Sequence, residues 1–290
     1  MIGFTLSFEG NNADDHELDL YDAAQAMIGF QRSLAITTHL VLNGNVITQA
    51  PSLKNARIIG MPPEKGSWEV WAVIIPAIAA IVYKLGTAPK DTPLGNLMYS
   101  AYDYVVSETL GFHVDYDTTL GQQYDKLNNS KQNSLPILKQ PQFDSAIEKC
   151  ENAIKEMHRP IVKSNTADTA RIIYQTKNFE KPFKNPLDIK TYDHIVFSEE
   201  DKNSVEIVGC VSSYNINTYK GRIFVESERR PIPFELAEST RTVRAISEIT
   251  KSLSSNAVER FTQEANITFE AFVHRSKTDR VKKYYIVGVK

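Results

Sequence analysis

The stretch from Gly66 to Gly86, GSWEVWAVIIPAIAAIVYKLG, constrains this chain more than any other. Within it, Val70 to Tyr83 runs for 14 residues without a charge. A segment this apolar has to leave water, in a core, between copies of the chain or at a membrane. The only two tryptophans, Trp68 and Trp71, stand at its front, and Tyr83 and Lys84 close it. As one helix it would measure about 21 Å at ~1.5 Å per residue, short of the ~30 Å hydrocarbon core of a bilayer. Pro76 also divides it. Ser67 to Ile75 reads as a strand, and Pro76 to Leu85 as a helix with proline in its first turn. On the membrane side of the balance, Trp68, Trp71 and Tyr83 bracket the run like an interfacial aromatic belt. Lys65 and Lys84 flank it with stems long enough to snorkel. Trp68, Trp71, Ile74, Ile75, Ile78, Ile81, Val82 and Tyr83 are thus the candidate membrane or oligomer interface. The alternative is that residues 70–83 are buried in a core.

The chain has 290 residues, enough for two domains, and 42% hydrophobic residues, enough for a sizeable core. The net charge of −2 is unevenly spread. Residues 1–218 carry 19 Lys and Arg against 26 Asp and Glu, a net of −7, whereas residues 219–290 carry 14 against 9, a net of +5. An anionic partner for the C-terminal part is one explanation, and ordinary variation of surface charge is the other. Cys150 and Cys210 form no CxxC pair, and the apolar start leads directly into Glu9, Asp14, Asp15 and Glu17. Both features point to a reducing cytosol, the expected compartment if the apolar run is core.

Alternation of Phe4, Leu6 and Phe8 predicts an opening strand. Leu20 to Leu42 has helical spacing, with Asp19 as N-cap and Asn43-Gly44 as the stop. A strand at Arg57 to Met61 follows, then a helix from Pro93 ending at Gly111. Residues 118–142 are polar, and Phe143 to His158 is helical, ended by Pro160. Asn178 to Leu187 holds two prolines and reads as a linker. Beyond it lie short strands at Val205 to Ser212, Arg222 to Glu226 and Pro231 to Leu236, then a helix at Glu238 to Leu253. A hairpin at Ile267 to His274 and Lys282 to Val289 turns at Lys277-Thr278-Asp279. The expected fold is α+β. An N-terminal region (1–117) holds the apolar segment at 66–111, a helical connector occupies 118–187, and a β-rich ligand-binding domain (188–290) is a small OB-like or SH3-like barrel with one helix.

No catalytic template is present: no HExxH, GxSxG, GxxxxGK[ST] or GxGxxG. His113, Asp115 and Asp117 alternate, and on a strand they would share a face fit for a metal, or simply for solvent. Asp14, Asp15, His16 and Glu17 precede a helix, where acids suit the positive end of the dipole. The expectation is a non-enzymatic protein with no catalytic residues, cofactor or metal.

The basic residues of the last third offer a different site. Arg222, Arg229, Arg230, Arg241 and Arg244 lie on or beside the predicted strands and helix. Lys277, Arg280, Lys282 and Lys283 crowd the final hairpin, followed by Tyr284 and Tyr285. Cations that track phosphates, interleaved with rings that stack on bases, are what a single strand of nucleic acid or a nucleotide needs. The plainer outcome is a solvated hairpin tip with its tyrosines turned inward.

The run SFEG, DLYDAAQAMIGFQRSLAITTHLVLNG and GSWEVWAVI, with GRIFVESERRPIPFEL near the C-terminus, resembles a bacterial defence-associated family. The layout looks like that of the membrane effector of Hailong-type anti-phage systems. That resemblance implies a homo-oligomeric channel in the inner membrane, gated by short single-stranded DNA made by a partner nucleotidyltransferase. It departs from such a channel in lacking a full-length apolar helix.

Overall fold

A computed structural model describes residues 2–47, 49, 52–61, 69–76, 93–128, 135–176, 179–228, 230–259, 262–275, 279 and 281–290. The chain divides into two units, Met1–Ile195 and Val196–Lys290.

The alternation at the N-terminus forms β1 (Ile2–Glu9), the middle strand of a five-stranded antiparallel sheet. β2 (Ala56–Met61) and β3 (Glu69–Pro76) lie on one side of it, β4 (Thr169–Thr176) and β5 (Phe179–Pro182) on the other. Phe4 is fully buried, and its ring meets Tyr102, Tyr174 and Phe183 edge-on at 5.2, 5.4 and 6.1 Å between centroids. Edge-on pairs of this kind add to the gain from burial alone.

Helices α1 (Leu20–Asn43), α2 (Pro93–Thr109), α3 (Gln122–Asn128), α4 (Gln140–Glu156), α5 (Arg159–Val162) and α6 (Ile189–Val196) complete the unit. Asp19 caps α1 by accepting from the Asp22 N–H at 2.9 Å. Gly44 stops it at φ +80°, where a glycine is needed to turn left-handed. α1 and α4 approach closely at Gly29, where a Cβ would sit 2.3 Å from the Ala153 carbonyl oxygen. A hydroxyl pair, Ser33 Oγ and Tyr102 Oη at 2.8 Å, ties α1 to α2 inside the core.

Two boundaries differ from expectation. Residues 118–187 are not a connector, because Tyr124, Phe143 and Ile154 belong to the same core cluster as Phe4 and Leu6. Asn178 to Leu187 is not a linker, because Phe179–Pro182 adds to the sheet as β5 at its edge. Proline is tolerated there because an outer strand has ladder positions that need no N–H.

The second unit is a barrel. Its strands are β7 (Val205–Asn215), β8 (Lys220–Val225), β9 (Arg230–Leu236), β10 (Asn266–Arg275) and β11 (Val281–Val289), with a short β6 (Glu199–Glu200) appended to β10. The order β11-β9-β8-β7-β10 closes through a β10–β11 pair. β9 and β11 run parallel, whereas the other barrel pairs are antiparallel. A helix, α7 (Val243–Val258), lies between the third and fourth barrel strands. This plan is that of an OB-like five-stranded barrel. The predicted helix at Glu238 to Leu253 is interrupted: a 3-10 turn at Glu238–Thr240 ends before Thr242, whose side chain caps α7 by accepting from Ala245 N–H at 3.2 Å. Gly221 permits closure. A Cβ there would stand 2.3 Å from the Ser213 carbonyl oxygen and 2.6 Å from the Phe234 ring.

Candidate functional site

Alternation along the barrel strands decides which predicted side chains face out. On β11, Tyr284 and Ile286 point into the core, so Lys283 and Tyr285 point away from it. On β9, Glu235 lies between the buried Phe234 and Leu236. The register sets Lys220 of β8 and Tyr285 of β11 on either side of Glu235. Lys283 Nζ donates to Glu235 Oε2 at 3.0 Å. Burial pushes the Glu235 carboxyl up, but the Lys283 hydrogen bond and the charges of Lys283, Lys220 and Arg241 outweigh it and hold the group below the usual carboxylate range.

The loop between β7 and β8 extends this cluster. The guanidinium of Arg241 lies over the Tyr219 ring at 4.7 Å from its centroid, and its Nε donates to the Leu236 carbonyl at 3.3 Å. Tyr219 accepts from Leu236 N–H at 3.1 Å through its own carbonyl, which fixes the loop against the end of β9. Arg244 is exposed one turn further, at the start of α7. The Tyr214 phenol, close enough to Tyr219 and Arg241 to feel both, is buried without a hydrogen-bond partner among the described residues. So is the Thr240 hydroxyl, the neighbour of Arg241 in sequence. Buried polar atoms normally find partners, so this end of the barrel has polar capacity to spare.

The structure thus brings together Arg241 and Lys283 of the predicted basic set with Tyr285, adds Tyr219 and Lys220, and leaves Arg244 exposed at the start of α7. It does not bring in the others. Arg222 is only 5% exposed. Tyr284 is 2% exposed within the barrel core, so its ring offers no face to a base. Arg230 donates to the Val281 carbonyl at 2.5 Å and pairs with Glu228 at 3.6 Å, at the opposite end of β8. Lys282 donates to the Phe197 carbonyl at 3.0 Å. Arg229, Lys277 and Arg280 lie outside the described residues. The signal that locates Tyr219 and Lys220 is their place at the entry to a strand, Tyr219 in the turn and Lys220 as the first residue of β8.

Residues 4–196 match the family described as "Domain of unknown function (DUF7946)". The chain belongs to that family. Its second unit coincides with a further match, residues 203–290, described as "Family of unknown function (DUF7947)". The two DUF matches fall on either side of the division between the units. No curated protein and no solved structure matches the chain.

In the DUF7946 unit, the front of the apolar run is a sheet strand. Ile74 is 3% exposed, pairs in register with Ile2 and Ile58, and belongs to the core, which corrects its assignment to a membrane or oligomer interface. Trp71 is half-buried and lies against Gly3, where a Cβ would come within 2.4 Å of its Nε1. Ile75 is likewise half-buried. Trp68, Ile78, Ile81, Val82 and Tyr83, and the predicted helix at Pro76 to Leu85 beyond its first residue, lie outside the described residues. Among the described residues, no helix is long and apolar enough to cross a membrane.

The predicted metal alternatives also fail among the described residues, where no group of His, Cys, Asp or Glu is arranged to hold an ion. His113 to Asp115 is not a strand. His113 Nδ1 lies 3.0 Å from Glu108 Oε1, and Asp115 accepts from Thr118 N–H at 2.8 Å, initiating a π-helical turn at Asp117–Gly121. Asp14 accepts from Gly10 N–H at 2.8 Å in the 3-10 turn Asn11–Asp15. Cys150 is fully buried, and burial pushes its thiol up to about 12, so it carries no thiolate at neutral pH.

Proposed function

We propose that the barrel receives a short single strand of nucleic acid or a nucleotide, and that the chain acts by binding this signal. The observation that carries the reading is the convergence of Lys220, Arg241 and Lys283 on Glu235, beside the Tyr219 and Tyr285 rings. Cations for phosphates next to aromatic faces for bases are the working parts of single-strand sites. OB barrels use the face of their second and third strands and the adjoining first loop for such ligands. Here β8, β9 and the loop carrying Tyr219 occupy those places. The fold supplies an analogy, and the residues supply the chemistry.

The test is fluorescence anisotropy with a labelled oligothymidylate at about 50 and about 200 mM salt. Binding that weakens steeply with salt, and that is reduced in an Arg241→Ala, Lys283→Ala double variant, supports the reading. Absence of binding at the lower salt overturns it.

A second reading makes the same binding event the gate of an oligomeric membrane effector in anti-phage defence. It is favoured by the apolar residues Ala77 to Tyr83 that follow β3 in the sequence. Fractionation after expression in bacteria tests it. Recovery of the chain as a monomer without detergent would exclude a channel and leave the barrel's binding role standing.

A further inference from the structure

Where β6 meets β10, three complementary side chains come together on the outside of the barrel. Glu200 stands directly opposite His274 in the antiparallel register. Ser198, two residues earlier, falls on the same side of the chain as Glu200. His274 Nε2 lies 3.0 Å from Glu200 Oε2, and His274 Nδ1 lies 3.2 Å from Ser198 Oγ. A carboxylate only accepts, so Nε2 carries the imidazole proton. Nδ1 is then the bare nitrogen, and the Ser198 hydroxyl donates to it. The Tyr285 ring meets the imidazole edge-on at 6.5 Å between centroids, and Lys283 is the register partner of His274 on β11. Burial and the Lys283 charge outweigh the carboxylates of Glu200 and Glu235 and hold the His274 pKa below its ordinary 6.5. The ring is therefore in its neutral, proton-accepting form at neutral pH.

We infer that Ser198 is the nucleophile of an acyl-transfer site, with His274 as its base and Glu200 as the residue that positions the ring. Such a constellation is recognised by geometry and roles, not by sequence order. Ser198 and His274 stand 76 residues apart, so no short motif announces them. Ser198 is exposed, so a substrate reaches its Oγ. The substrate class is a carboxylic ester with an aromatic group, for which the Tyr285 ring beside the imidazole is the apolar contact. Ser198 Oγ bonds to the carbonyl carbon as its proton moves to His274 Nδ1. The ester C–O bond then breaks, and the leaving alcohol takes that proton. Water repeats both steps on the acyl-serine, which releases the acid and restores the hydroxyl. Lys282 Nζ, 3.0 Å from the carbonyl of Phe197, sets a positive charge beside the backbone of the nucleophile.

Labelling of the full chain with a fluorescent fluorophosphonate, followed by peptide mass spectrometry, tests this. The reagent forms an Oγ–P bond and releases fluoride, and the expected adduct is on Ser198. Hydrolysis of p-nitrophenyl acetate reports the same site. Both signals should vanish in Ser198→Ala and fall at least about tenfold in His274→Gln. The labelling rate should rise with pH through a midpoint below 6.5. Glu200→Gln removes a carboxylate that raises the His274 pKa, so the midpoint should move to lower pH while the melting temperature holds. No adduct on Ser198, a rate unchanged in His274→Gln, or a pH profile unmoved by Glu200→Gln would each overturn the inference. Labelling is read without oligonucleotide, so its outcome is separate from that of the nucleic-acid reading.

Discussion

Arg241 is held from two sides: its guanidinium carbon sits 4.7 Å from the centre of the Tyr219 ring, and its Nε donates to the Leu236 carbonyl. A guanidinium fixed in this way loses less freedom when it meets a phosphate than a lysine swinging on four methylenes. Tyr219→Leu keeps the charge but releases the arginine, so affinity for oligothymidylate should fall about threefold with the salt dependence unchanged. Arg241→Ala removes the charge itself and should lower the slope of log affinity against log salt by about 1. Anisotropy titrations at several salt concentrations separate these effects.

Glu235 works in the opposite direction. It is the carboxylate among Lys220, Lys283 and Arg241, and it damps their field. Glu235→Gln should therefore tighten binding of an anionic strand, by about threefold at low salt, and the gain should fade as salt rises. The Lys283 pair is half-exposed, so thermal stability should change by less than about 1 kcal/mol. An unchanged or weaker affinity would place the ligand elsewhere.

His158 makes the first unit sensitive to acid. It is fully buried, with Nδ1 2.9 Å from the Ile154 carbonyl and Nε2 3.0 Å from Thr191 Oγ1. Burial outweighs the help of the Ile154 carbonyl and lowers its pKa to about 4. The unfolded chain, with an ordinary imidazole, binds the proton first as pH falls. Stability from this residue is thus complete above about pH 6.5 and is lost progressively down to about pH 4, by roughly 3 kcal/mol. His39, lowered in the same direction by burial, adds to the trend. Denaturant melts across this window should show the loss, and His158→Gln should flatten it at the cost of lower stability at neutral pH.

Gly221→Val tests barrel closure. The new side chain would meet the Ser213 carbonyl, which cannot retreat without opening the β7–β8 pairing, and the Phe234 ring, which is buried in the barrel core. The expected penalty is about 3 kcal/mol, seen as a lower melting temperature of the second unit expressed alone or in the chain.

Local signals in the sequence located elements well. The Asp19 cap and the Gly44 stop of α1 are both present, as are the strands of the barrel and its final hairpin. What one sequence hides is which strands pair. In β4, Ala170, Ile172 and Tyr174 alternate, but its partner β1 lies at the far end of the unit and no local signal joins the two. The prolines near β5 resemble a linker for the same reason, since edge position is a property of the assembled sheet. At the candidate site, a count of charges cannot tell Lys283 from Arg222. Only the side of the strand decides which one meets solvent.

The central place of β1 has a consequence for how the protein is made. β1 leaves the ribosome ahead of both its neighbours, and β3, the first of them, is complete by Pro76. The other neighbour, β4, starts only at Thr169. At ~5–20 residues per second, the wait lasts on the order of ten seconds. Throughout it, one edge of an apolar strand has its backbone donors and acceptors unmatched and open to any other extended chain. The vulnerable moment of this protein is therefore its synthesis, and nascent-chain chaperones that shield an unpaired edge should govern its yield more than the stability of the finished fold.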